Sequence, residues 1–183
     1  CSVTQSIDHP KEYIEHNLTK TLELAKACAE GQTRMVFSSS AAVYGYRETP
    51  AEEENKLDPT NPYGATKMSA ENWFRVYKQN YGLDYVTLRY FNVYGPRQDN
   101  RMVIARFIDQ ALKNKPITIY GSGKQTRDFT YIDDCVKVFD LINKKVKGFH
   151  ILNSSKGRDF DILGLAKKIK TDLKSKSKII HIK

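Results

Sequence analysis

The chain has 183 residues, 40% of them hydrophobic and 28% charged, enough apolar mass for a packed core of ordinary domain size. No run reaches the roughly 18 consecutive apolar residues of a membrane span, and the opening residues show no signal-peptide apolar block. The net charge of +9 is local: 12 of the 30 Lys and Arg but only 3 of the 21 acidic residues fall within 144–183.

In that basic stretch, lysines at 167, 168, 170, 174, 176 and 178 punctuate Ile162, Leu165, Ala166, Ile169 and Leu173 at helical spacing behind a capping Asp161. This is the pattern of an amphipathic helix with a solvated lysine face. Aromatic residues of the kind single-strand binders stack on are not interleaved with it, so neither nucleic acid nor a membrane is an expected partner. Cys1, Cys28 and Cys135 are odd in number, far apart and without CxxC spacing, which points to reduced thiols, no metal site and a cytoplasmic location.

His9-Pro10 predicts a helix to about Glu30, with Tyr13, Ile14, Leu18, Leu22, Leu24 and Ala25 turned inward and Gly31 as its stop. Residues 34–38 form a short apolar run of the buried parallel-strand type. An acidic loop over 48–54 precedes Asn61-Pro62, which starts a second helix with a capping side chain and a first-turn proline and ends at Gly82. Strands are then expected at 84–93, 117–120 and 149–152, and helices at 103–114 and 133–144. This alternation predicts an α/β fold, a partial doubly wound parallel sheet. No glycine-rich turn follows a first strand, so the chain is expected to be part of something longer.

The sharpest chemical signal is Tyr63-Gly64-Ala65-Thr66-Lys67 on the first turn of the second helix, because a spacing of four sets phenol and ammonium on one face. A phenol of pKa near 10 becomes a base at neutral pH only if lowered by about three units, roughly 4 kcal/mol of favourable field. Lys67 and the helix N-terminus are the expected sources. The run Ser38-Ser39-Ser40-Ala41-Ala42-Val43-Tyr44-Gly45 puts three hydroxyls at the carboxyl end of a buried strand, where open α/β sheets bind ligands. A hydroxyl there would bond both a substrate alcohol and the Tyr63 oxygen, forming a proton route.

SSSAAVYG, NPYGATK, LRYFNVYGPRQ (88–98) and ITIYGSGKQTRDFTYIDD (117–134) together resemble the extended short-chain dehydrogenase/reductases. Within the NAD-dependent epimerase/dehydratase family the resemblance is to the UDP-glucose (UDP-galactose) 4-epimerases and their relatives acting on N-acetylated sugars or uronates. It implies a Rossmann-type sheet. Residues 1–98 would be the carboxyl-terminal half of the dinucleotide-binding domain, and 99–183 mostly a small α/β substrate-binding region with elements returning to the main sheet.

By the same resemblance Tyr63 is the catalytic acid/base, Lys67 its pKa partner and a ligand of the nicotinamide ribose, and Ser40 the bridge to the sugar; Ser38 and Phe91 complete the NAD side. Asn92 and Arg127 would contact the nucleotide sugar and its diphosphate, and Met102, Val103, Thr118 and Tyr120 would line the uridine pocket. Core packing is the competing reading for Tyr120, and a surface pair with Asp128 the competing one for Arg127. The helices over 10–30 and 62–81, with Trp73, Phe74, Tyr77 and Tyr81, would form a homodimer interface, burial of the same aromatics inside the monomer being the competing reading.

The family's GxxGxxG turn is absent, as are the residues that choose NAD or NADP, so on the order of 80 residues are expected ahead of Cys1, in βαβ units of about 30 each. The chain alone is therefore expected to bind NAD poorly and to lack activity. Relatives that dehydrate sugars carry an Asp-Glu pair where Ala41 and Ala42 stand, which favours epimerisation at C4. A UDP-glucuronate decarboxylase or a dehydratase is the alternative within the family, and a non-catalytic RNA- or protein-binding relative the alternative from another class.

Overall fold

The computed structural model describes residues 3–46 and 50–182; the thiol of Cys1 and the start of the acidic loop at Glu48 lie outside the described residues. In chain order the elements are α1 (Val3–Asp8), α2 (Pro10–Ile14), a π-helical turn (Glu15–Thr19), α3 (Lys20–Glu30), β1 (Met35–Ser40), a 3-10 turn (Ala41–Tyr44) and α4 (Pro62–Tyr81). There follow β2 (Tyr85–Tyr90), β3 (Val93–Tyr94), α5 (Val103–Leu112), β4 (Ile117–Tyr120), β5 (Thr126–Asp128) and β6 (Thr130–Tyr131). The last are α6 (Ile132–Lys145), β7 (His150–Ser154), β8 (Asp159–Asp161), α7 (Ile162–Asp172) and β9 (Ile179–Ile182).

The chain divides into two units, residues 1–91 with 137–154 and residues 92–136 with 155–183. The first is built on a parallel sheet of order β1-β2-β7, with Ser38, Ser39 and Ser40 level with Leu88, Arg89 and Tyr90. Strand alternation sends Met35, Phe37 and Tyr85 to one face, where they pack with Ala25 of α3 and with Ala70 and Phe74 of α4. Val86 and Leu88 go to the other face and meet Ile142 and Val138 of α6. Helices on both faces leave β2 buried from Tyr85 to Arg89, as a doubly wound sheet requires. Two expectations for the helix over 10–30 fail. It is interrupted by the π turn, and Ile14 and Leu24 are 49% and 56% exposed, because the stripe that reaches the core runs through Leu18, Leu22, Ala25, Cys28 and Ala29.

The second unit holds the pairs β3-β6 and β4-β9, both parallel, and the antiparallel pair β5-β8. Its core joins Phe107 and Ala111 of α5, Ile117 and Ile119 of β4, and Ile162 and Ala166 of α7, which begins where Asp161 accepts from the Gly164 amide. The strand expected over 84–93 ends at Tyr90, and Val93–Tyr94 pairs with β6 instead. Cys28 and Cys135 are in no disulfide. No helix among the described residues is long and apolar enough to cross a membrane.

Candidate active site

Asn61 starts α4 by accepting from the Gly64 amide at 2.9 Å, with Pro62 in the first turn. Gly64 is required by a close approach: a Cβ there would lie 2.5 Å from the Ala42 carbonyl oxygen. The first turn of α4 therefore presses on the 3-10 turn and carries Tyr63 to the carboxyl end of β1. The Tyr63 amide donates to Ser6 Oγ at 3.2 Å, and Thr66 Oγ1 donates to the Tyr63 carbonyl at 2.8 Å. Asn17, in the π turn, donates to Thr66 Oγ1 at 3.3 Å, and Tyr13 sets its ring edge-on to Tyr63 with centroids 6.3 Å apart.

The Ser40 side chain acts on the Tyr63 phenol and draws its pKa down against burial. Ser40 Oγ also accepts from the Ala42 amide at 3.2 Å, which fixes the hydroxyl at the strand end. Lys67 donates to the Ser38 carbonyl at 2.9 Å, with its ammonium 4.7 Å above the Phe37 ring and 5.9 Å from the Tyr63 centroid. Ser38 thus takes part through its backbone, while its side chain is exposed.

The electrostatics correct the expectation of a lowered phenol. Burial pushes Tyr63 above its ordinary value, and the Ser40 side chain only partly opposes this. Burial likewise pushes Lys67 below its ordinary value, against the pull of the Glu71 carboxylate. The reason is placement: the ammonium is spent on a backbone carbonyl rather than set on the phenol oxygen. Phe91 follows β2, its amide donating to the Ser154 carbonyl at 3.1 Å and its ring 6.4 Å from that of Tyr44.

The residues expected to contact substrate lie in the second unit. Asn92 is exposed and donates to the Asp128 carbonyl at 2.8 Å. Arg127 is exposed and donates to the Thr126 carbonyl, while the Asp128 carboxylate accepts from the amides of Lys156, Gly157 and Arg158. Thr118 is held by Gln110, which bonds both its hydroxyl and its amide. Tyr120 is 54% exposed with the Arg106 guanidinium 5.0 Å from its ring centroid, so core packing does not account for it. Met102 caps α5 and Val103 is its first residue, both half-buried.

Sequence reasoning missed a buried cluster beneath the serine run. Arg89 and Glu71, each 1% exposed, are paired by Nη2 to Oε2 at 2.6 Å and by Nε to both carboxylate oxygens at 3.2 Å. Ser39 Oγ donates to Glu71 Oε1 at 2.5 Å. Arg89 Nη1 donates to Tyr44 and to the Glu53 carbonyl, and Tyr44 donates to Asn153. Burial alone would disfavour the Arg89 cation, but its bonds to Glu71 and Tyr44 outweigh that and hold it charged. The available signal was an arginine at an inward position of an apolar strand, since a buried charge demands a partner.

Residues 1–154 match the model of the NAD dependent epimerase/dehydratase family. The chain is 46% identical over 131 residues to the uncharacterized UDP-glucose epimerase YtcB of Bacillus subtilis (strain 168), covering 71% of this chain and 42% of that protein. Among solved structures it is similar to a UDP-N-acetylglucosamine 4-epimerase from Methanobrevibacter ruminantium M1 in complex with UDP-N-acetylmuramic acid, at TM-score 0.95 and 36% identity over 100% of this chain and 60% of that one. A UDP-glucose 4-epimerase of Thermus thermophilus in complex with NAD gives TM-score 0.91 and 32% identity, over 98% of this chain and 61% of that one. The chain spans 42% to 49% of the length of the first curated relatives it matches. With four motifs in order along the chain, a doubly wound parallel sheet in the first unit and a family match over residues 1–154, the chain belongs to the NAD dependent epimerase/dehydratase family.

Proposed function

We propose that the protein containing this chain inverts C4 of a UDP-sugar with NAD as cofactor. The observation that carries the reading is that Lys67, one turn beyond Tyr63 on α4, is anchored at 2.9 Å to the strand end that bears Ser40. Residues 1–98 act as the carboxyl-terminal half of the dinucleotide-binding domain and 99–183 mostly as the substrate-binding region.

The donor set suits a nicotinamide ribose: Lys67 spends one N–H on the Ser38 carbonyl and keeps two for ribose hydroxyls, beside the phenol of Tyr63. Ser38 and Phe91 flank that position. When bound, NAD supplies the reversible two-electron oxidation of the carbinol and a positive charge beside the phenol. Tyr63 takes the proton of the sugar 4-hydroxyl, with Ser40 bonded to both oxygens, and returns it to the 4-keto oxygen after the sugar has turned over. The proton given back equals the proton taken, so the phenol ends as it began. Ala41 and Ala42 offer no second acid or base for removing water, which favours epimerisation over dehydration.

On the substrate side, Arg127 pairs with the diphosphate, for which a planar fork is suited. Asn92 bonds the nucleotide sugar, and Met102, Val103, Thr118 and Tyr120 hold the uridine. The exposed apolar residues Trp73, Val76 and Tyr81 on α4 and Ile14 and Leu24 on the preceding helices support a homodimer through the helices over 10–30 and 62–81. Cys28 and Cys135, in no disulfide, suit a cytoplasmic enzyme.

The test is to incubate the full-length protein with NAD and, separately, UDP-glucose and UDP-glucuronate, and to follow products by chromatography and mass spectrometry. Inversion at unchanged mass, abolished by Tyr63→Phe, is the expected result. Loss of carbon dioxide from the uronate identifies a decarboxylase instead, and no turnover of either sugar refutes the assignment.

A further inference from the structure

Two of the three serines of β1 are tied to different rungs of one helix. Tyr63, Lys67 and Glu71 stand four residues apart on α4, so they share a face. Lys67 bonds the Ser38 carbonyl at 2.9 Å and Glu71 accepts from Ser39 Oγ at 2.5 Å, while the Ser40 side chain acts on the Tyr63 phenol. Only the third rung is fully buried, and only it has a second anchor: Arg89, the register partner of Ser39 on β2, binds the same carboxylate through three contacts.

We propose that Glu71 is a positioning residue for the Tyr63 and Lys67 pair, acting as a peg that Ser39 and Arg89 clamp so that α4 keeps one axial setting over the serine run. The inference rests on the reading of Tyr63 and Lys67 as the reacting pair. Two apolar contacts, Phe37 with Phe74 and Phe74 with Tyr85, also join α4 to the sheet, but ring contacts tolerate sliding. A carboxylate held by four directed bonds does not, because each bond weakens steeply with misalignment. The peg reaches further outward: Arg89 also binds Tyr44 and the Glu53 carbonyl, and Asn153 binds Tyr44, the Glu53 carboxylate and the Ala51 carbonyl. One buried cluster thereby ties the 3-10 turn after Ser40 and the loop beyond it to the same helix.

Two variants of the full-length protein test this. Ser39→Ala removes one clamp and keeps the ion pair. Glu71→Gln with Arg89→Met removes the peg while leaving no unpaired buried charge, the arrangement that lets such a site fold. With UDP-glucose and NAD, the double variant is expected to lose about a hundredfold in kcat with KM little changed, as misplacement of reacting groups by about 1 Å does. Ser39→Ala is expected to fall between the wild type and the double variant. A second readout needs no turnover: NMR titration of the Lys67 ammonium, which faces Tyr63 and Glu71 on α4, with Tyr13 packed against Tyr63 and Arg89 across the carboxylate. In Ser39→Ala, which keeps the Glu71 carboxylate whose charge itself acts on Lys67, this titration is expected to shift from its wild-type midpoint. Variants that fold, keep wild-type kcat and leave the Lys67 midpoint unmoved overturn the proposal. If the wild type turns over no UDP-sugar while the midpoint still shifts, the peg stands and the functional assignment falls; an unmoved midpoint overturns the peg whatever the turnover.

Discussion

Replacing Tyr85 by phenylalanine should stabilise the protein, and by more as the pH rises. Tyr85 is fully buried between the rings of Phe74 and Phe149, with centroids at 5.4 and 4.8 Å, and its hydroxyl has no hydrogen-bond partner among the described residues. Removing an unsatisfied buried hydroxyl without changing the ring is worth about 1 kcal/mol at neutral pH. Burial, the main cause, pushes the phenol up to about 12 from 10.0, the nearby Arg75 pulling down and Glu71 pushing up by less. A group whose pKa is raised on folding leaves stability intact below its unfolded value and drains it as the pH climbs to the folded one. The wild type therefore loses about 3 kcal/mol between pH 10 and 12 through this residue, and the variant loses none of it. Urea denaturation followed by circular dichroism at steps from pH 8 to 12 measures the gap between the two proteins, and lysine titrations common to both cancel. A gap that stays constant across that range, or a variant less stable at pH 8, refutes the reasoning.

Phe74→Ala empties a site in contact with Phe37 and Tyr85 at the centre of the first core, and thermal unfolding should show a loss of about 3 to 5 kcal/mol. Asn61→Ala deletes the cap of α4 and should cost about 1 kcal/mol, with hydrogen exchange quickening at the amides of Gly64 and Ala65. Lys67→Met removes an ammonium that burial disfavours, so folding stability should hold or rise while turnover by the full-length protein falls at least about a hundredfold; equal loss of both would show that Lys67 is a structural prop.

Helix ends were legible because their causes are local. Asn61 with Gly64, Gly82 in the left-handed conformation after α4, and Asp161 with Gly164 are all settled within a few residues of chain. That the serine run ends a buried strand and that Tyr63 and Lys67 share the first turns of one helix was legible for another reason: two short motifs each had a known direction relative to a strand end or a helix face. Less visible were β9, which completes β4 from about sixty residues away, and the short β5-β8 pair, whose members carry little apolar pattern.

What the amino-acid order determined by itself was therefore the alternation of elements, their caps and the spacing of Tyr63 and Lys67 on one helical face. Tertiary structure alone decided that Ser39 rather than Ser38 points inward, that Arg89 finds Glu71, and that the phenol is raised instead of lowered. Local hydrogen bonds depend on neighbours along the chain, whereas desolvation and buried charge pairing depend on which distant surfaces close over a group, and that is set only when helix and sheet meet.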